Sequence, residues 1–387
     1  FLNNFQSSSV AHKNMLSILA AVSDVIKQNG GTESSTEYYL GLVMTLEAAD
    51  TEESIAAALS LLNIGMGAVP KNILNYHYTR TIRVFLKILE NYASEGHFPI
   101  LRHCIGCLSM LLRVQELTAW SDPWTKHVLD AILSFITHTK PRLRKTSQRA
   151  LLRLLEGSDI MEGPNAPDFH PASSRIADFC LTQLNDTEQT GKLANTLHTL
   201  NLIRNTAGHF PRSSLKILCE KLLSTMSSNN LLLSSCCLQT LHGLMMSRPK
   251  EQALPPQLNA QIINALYDHQ PPLGDTQPTL AWLAVMQEAH CNLVIHSAEL
   301  CGANILRIVA KCIELWLSER VEIINGSSHT LRVILEWCIP PLCESAELVQ
   351  RFMPILKGIV NLIQRGMEYR YISAWHHVLE LLTVAIK

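Results

Sequence analysis

Charge is scarce in this sequence. Only 17% of its 387 residues are charged, while 47% are hydrophobic; soluble proteins average about 25% charged. Glycine and proline are thin as well, at 17 each, below the average share of roughly 12% for the two together. A chain with this much apolar material and so little charge imbalance is not disordered. An excess of one sign is also missing: 32 basic residues face 33 acidic ones, for a net charge of -1. That excludes a protein gripping nucleic acid along its whole length, which would be clearly basic.

Long apolar runs are absent too. No stretch of 18 apolar residues occurs, and the chain opens Phe1-Leu2-Asn3-Asn4-Phe5 without a charged leader region or cleavage site. This reads as neither a membrane span nor a signal peptide. The lack of an initiator Met reads as a fragment of a longer repeat protein. Leu222 to Ser247 holds no charge, but Ser227-Ser228-Asn229-Asn230 interrupts it, so it reads as two buried helices with a turn. The eleven cysteines are irregularly spaced, unlike a secreted disulfide scaffold. The sequons at Asn185 and Asn325 would matter only after secretion, which nothing here supports. The expected home is cytosol or nucleus.

Catalytic signatures are missing. There is no Gly-rich phosphate loop, no Gly-x-Ser-x-Gly and no His-Glu-x-x-His, so no catalytic residue and no cofactor site is expected. Cys104-Ile105-Gly106-Cys107, preceded by His103, has no second pair at zinc-ribbon spacing. It reads as core neighbours on a buried helix, and no metal site is expected. His290-Cys291 with His296, and His376-His377, read as capping, hydrogen-bonding or solvated residues. Glu52-Glu53 reads as a helix start, where carboxylates complement the macrodipole.

Strand signals are nearly absent, and what is present is the helical period. From Lys140, apolar or small residues recur at Leu143, Ser147, Ala150, Leu151, Leu154 and Leu155, making one face. Comparable segments begin near Glu52, Phe98, Lys140, Glu188, Asn230, Thr276, Glu319 and Glu368, 42 to 49 residues apart. Each is preceded by another helix, such as Asp122–His138, Ser213–Met226 or Pro256–His269. A two-helix unit of about 40–47 residues has the length of a HEAT or armadillo repeat. The predicted fold is all-α: a right-handed solenoid of antiparallel helix pairs, with about eight pairs over residues 1–387 as a single domain. Pro255-Pro256, Pro271-Pro272 and Pro340-Pro341 punctuate helices rather than separate domains.

One cluster carries chemistry. Lys140, Arg142, Arg144, Lys145, Arg149 and Arg153 supply six positive charges with no acid among them. Arg142, Lys145, Arg149 and Arg153 recur at three, four and four, so they share a stripe beside the apolar face. It is a solvated helix face, a phosphate contact releasing counterions, or a contact for an acidic partner. No aromatic interleaves it, which disfavours reading of bases. A repeat stack also exposes a long wall suited to protein partners. Met245-Met246, Trp120, Trp124 and Trp282 are either core or part of that wall.

The sequence resembles the ribosomal RNA-processing protein twelve family, in the HEAT-repeat region towards that family's N-terminal half. The densest match runs from Leu258-Asn259-Ala260-Gln261 through Tyr267-Asp268, Gln277-Pro278 and Trp282-Leu283 to Asn292-Leu293-Val294. Other matching pieces, Ala11-His12-Lys13, Thr36-Glu37-Tyr38, Ala119-Trp120, Lys140-Pro141 with Arg144-Lys145, His170-Pro171-Ala172 and Ala374-Trp375, lie in order over nearly the whole chain. The resemblance implies a nuclear and nucleolar ribosome-assembly factor. Such a factor accompanies small-subunit precursors, assists export, contacts pre-ribosomal proteins and rRNA, and is linked to exportin and Ran. The rival reading is a karyopherin-like transport receptor binding Ran and nucleoporins, which would show an acidic inner surface for basic cargo. No family site residue is transferred.

Overall fold

The computed structural model describes residues 8–93, 97–190, 193–226, 230–246, 254–272 and 274–366. Among the described residues there are seventeen α-helices and no strand. The chain forms two compact units, Phe1–Phe179 and Cys180–Lys387.

The first unit holds α1 (Val10–Gln28), α2 (Ser35–Ala48), α3 (Glu52–Gly65), the short α4 (Lys71–Tyr76), α5 (Tyr78–Tyr92), α6 (Phe98–Arg113), α7 (Pro123–Leu133), α8 (Pro141–Gly157) and the start of α9 (Ala172–Thr190). Helices α2 and α3, α5 and α6, and α7 and α8 pack as pairs. Second helices stack on second helices, in the order α1, α3, α6, α8, and first helices stack as α2, α5, α7. The second unit repeats the rule with α10 (Leu193–Thr206), α11 (Arg212–Met226), α12 (Leu231–Met246), α13 (Pro256–Asp268), α14 (Thr276–His296), α15 (Ala298–Leu315), α16 (Val321–Leu342) and α17 (Ala346–Gly366). There α10, α12, α14 and α16 form one row, and α11, α13, α15 and α17 the other. Each helix thus hides one flank against its partner and others against its row. That is the physical origin of the low charge.

Local chemistry sets the starts. Ser9, Thr51, Asp122 and Ser297 accept a backbone N–H at the starts of α1, α3, α7 and α15. Ser34 and Glu37 close a capping box on α2. Proline stands in the first turn of α6, α7, α8 and α13, where its missing N–H costs nothing. Close approach within a row needs small residues: a Cβ at Gly106 would lie 2.2 Å from Oδ1 of Asn63, so α3 and α6 meet only across a glycine.

The expected segments at Glu52, Phe98, Lys140, Asn230, Thr276 and Glu319 are α3, α6, α8, α12, α14 and α16, the second helix of each pair. The uncharged Leu222–Ser247 stretch is two helices, with Asn230 Oδ1 accepting from the N–H of Leu232 and Leu233. The start near Glu188 differs, since α9 continues to Thr190 and α10 begins at Leu193. Residues 185–190 are polar, but none of them breaks a helix. The segment near Glu368 and the pair His376-His377 lie outside the described residues.

Candidate nucleic-acid interface

Helix α8 carries the basic cluster. Pro141 opens it, and its end is closed by side chains: Ser158 Oγ donates to Leu154 O at 2.6 Å, and Arg113 Nε to Gly157 O at 2.9 Å. Leu143, Ser147, Ala150, Leu151, Leu154 and Leu155 are all buried, the same six positions the period marks, against α6 and α7. Arg142, Lys145, Arg149 and Arg153 are exposed. At about 100° per residue they span about 80° of arc, centred roughly 150° from the buried face. The stripe therefore lies opposite the core rather than beside it.

The other two members of the cluster point elsewhere. Arg144 is half-buried at the edge of the core face, and its Nη1 donates to the carbonyls of His138 and Thr139 at 2.7 and 2.9 Å. It closes the turn entering α8. The Lys140 ammonium sits 5.2 Å from the centre of the Phe98 ring. Among the described residues, no carboxylate pairs with Arg142, Lys145, Arg149 or Arg153. Glu156, one turn past Arg153, ends the row. Arg142, Arg144 and Lys145 also crowd the start of α8, where a cation opposes the macrodipole by about 0.3–1 kcal/mol. This placement disfavours the helix itself.

Helix α6 runs alongside. Ser109 Oγ donates to Ala150 O at 3.2 Å, and with the Arg113–Gly157 bond this fixes an offset of 41 to 44 residues between α6 and α8. Arg102 is exposed and level with Leu143–Lys145, a fifth cation that sequence spacing alone does not join to the stripe. Its Nη2 lies 3.0 Å from His103 Nε2. Burial, then the Arg102 charge, lowers the His103 pKa to about 4, so the imidazole is neutral near pH 7.

The cysteine motif is core. Cys104 and Cys107 are buried, donating to Phe85 O and Leu59 O, and burial raises both thiols above the ordinary cysteine range. Among the described residues no group of three or more His, Cys, Asp or Glu is placed to hold a metal. Glu52 lies in the first turn of α3 and meets His97 Nδ1 at 2.8 Å. Trp120, Trp282 and Met245 are buried, whereas Trp124 is 42% and Met246 60% exposed. Trp124 carries Arg83 at 5.4 Å from its ring centre.

The pieces that carry the resemblance perform structural work. Trp282 Nε1 donates to Leu266 O at 2.7 Å, and Asn259 Nδ2 to Ala289 O at 2.9 Å, bolting α13 to α14 in both directions. The Tyr267 ring stands edge-on to Trp282 and takes the Arg307 guanidinium 3.6 Å from its centre, joining α13 to α15. His290 is fully buried with Nδ1 2.7 Å from Met286 O. In the first unit Trp120 stands edge-on to His170 at 4.7 Å, and His170 Nδ1 accepts from Ala172 N at the start of α9. Ala374-Trp375 lies outside the described residues.

Two family models match: "RRP12-like, N-terminal HEAT repeats" over residues 2–252, and "Ribosomal RNA-processing protein 12, HEAT repeats" over residues 317–387. The RRP12-like protein of Gallus gallus is 38% identical over 98% of this chain, and that of Homo sapiens 35% over 98%. The ribosomal RNA-processing protein 12 of Saccharomyces cerevisiae is 25% identical over 68%. The chain spans 30% of the length of the chicken and human relatives. Among solved structures, the karyopherin Kap121p bound to the extreme C-terminus of the phosphatase Cdc14p superposes with a TM-score of 0.56 at 11% identity, covering 90% of this chain and 33% of that one. At that identity the likeness is one of fold. With its stacked helix pairs and these matches over nearly its whole length, the chain belongs to the RRP12-like family of HEAT-repeat proteins.

Proposed function

We propose that the chain is a repeat region of a non-enzymatic scaffold in ribosome biogenesis. The scaffold binds pre-ribosomal particles, mainly small-subunit precursors, and assists rRNA maturation and nuclear export. Its partners are pre-ribosomal proteins and rRNA, and it works in the nucleus and nucleolus, shuttling to the cytoplasm. The observation that carries this reading is 38% identity over 98% of the chain to an RRP12-like protein. Stacked helix pairs support it, because a repeat stack binds through distributed surface rather than a single pocket. No helix among the described residues is long and apolar enough to cross a membrane. Affinity purification of the full-length protein in gentle salt is expected to recover small-subunit precursors; recovering none would overturn the reading.

The rival is a karyopherin-like receptor for Ran and nucleoporins, favoured by the shared fold. A receptor for basic cargo needs an acidic wall, and the outward face of α8 is basic. Saturable Ran–GTP binding by this chain would favour the rival.

A further inference from the structure

The outward face of α8 combines four cations with no carboxylate partner among the described residues, three of them arginine, in a straight row from Arg142 to Arg153. At 1.5 Å per residue the row is about 16 Å long, with successive members about 4.5–6 Å apart along the axis. A linear anion with regularly repeated charge fits such a row. The α6–α8 register places Arg102 level with its first half.

Acidic polypeptides and nucleic-acid backbones are both polymers that carry such charge. Protein interfaces are anchored by buried aromatic or aliphatic side chains inside a polar rim. This face has no such anchor: among the described residues, no large apolar side chain is exposed between Trp124 and Leu193. It has no exposed aromatic on which a base would stack either, which sequence-tolerant strand binders commonly use. What remains is charge in forked, bidentate form, which matches phosphate oxygens.

We infer that Arg142, Lys145, Arg149 and Arg153 of α8, joined by Arg102 of α6, form a site for the phosphodiester backbone of RNA that reads charge and spacing and not sequence. The site deepens the scaffold reading and rests on it. Lys140 and Arg144 are outside it, one held over Phe98 and the other closing the turn.

The test is the salt dependence of binding of this chain to a labelled single-stranded RNA of mixed sequence, to a shuffled RNA of equal length, and to a poly-glutamate peptide. Each phosphate contact contributes about 0.7 to the slope of log affinity against log salt on a single strand. Arg142→Gln with Arg149→Gln is therefore expected to lower the slope by about 1.4. The matching Arg→Lys pair is expected to retain it, and Lys140→Gln to leave it unchanged. The two RNAs are expected to bind alike. An unchanged slope in the Arg→Gln pair, equal loss in the Arg→Lys pair, a preference for one RNA sequence, or tighter binding of poly-glutamate than of RNA would each overturn the site. The same Arg→Gln pair in the full-length protein separates this from the broader reading. If wild type and variant recover equal amounts of precursor particle and the slope is unchanged, the scaffold stands and the site falls. If wild type recovers none, the scaffold reading itself fails.

Discussion

Helices α8 and α14 are both second helices of their pairs, yet they use their surfaces differently. Within the first unit α8 is packed by α6 and α7, and its far face is left to solvent and filled with cations. Helix α14 is packed by α12, α13, α15 and α16, and its buried residues run from Thr279 to Val294. The side chains that bolt α13 to α14 therefore lie where packing is heaviest. The exposed cations of α8 lie where packing stops. Trp282 and Asn259 make buried bonds between helices, whereas Arg149 is exposed and its replacement is expected to cost the fold little.

Four perturbations sharpen that contrast, in descending order of effect. Trp282→Ala removes a fully buried ring and its bond to Leu266 O, and is expected to cost about 3–5 kcal/mol in urea unfolding. RNA affinity per folded molecule should not change. Next comes acid. The His290 pKa is lowered to about 4, first by burial, while hydrogen bonds partly oppose the shift. Its ordinary value is near 6.5, so between these two values the unfolded chain binds the extra proton and the folded one does not. Stability is then complete above about pH 6.5 and falls as pH drops towards 4, by about 3 kcal/mol for this group. A His290→Gln variant should show a flatter profile in pH-dependent unfolding. Arg307→Ala loses the stack on Tyr267 and is expected to cost about 0.5–1 kcal/mol, read as a small fall in the urea midpoint. Smallest is Arg142→Gln with Arg149→Gln, expected to shift unfolding by less than about 0.5 kcal/mol. A larger loss there would mean the stripe is structural and would erase the contrast with α14.

Much of this architecture is legible in the amino-acid sequence. On α8 the six buried positions are readable because apolar and charged residues segregate cleanly around one helix. Period alone locates the second helix of most pairs. The side of the stripe is less legible: spacing shows that Arg142, Lys145, Arg149 and Arg153 share a face, but not that the face lies opposite the core. That Arg144 folds back onto His138 and Thr139 depends on the conformation of the turn. Spacing cannot join Arg102 to the stripe, because the α6–α8 register is set by side-chain bonds from Ser109 and Arg113. The end of α9 escapes the period for a similar reason, since a polar run can continue a helix when nothing in it breaks one. For α14, periodicity shows a helix but not that Trp282 bonds back to Leu266, sixteen residues earlier.

The most direct test of the division between packed and binding surface is a map of protein–RNA cross-links in particles purified with the full-length protein. Cross-links are expected on peptides covering Arg102 and Arg142–Arg153, and not on residues 258–294; cross-links concentrated on 258–294, with α8 silent, would overturn that division.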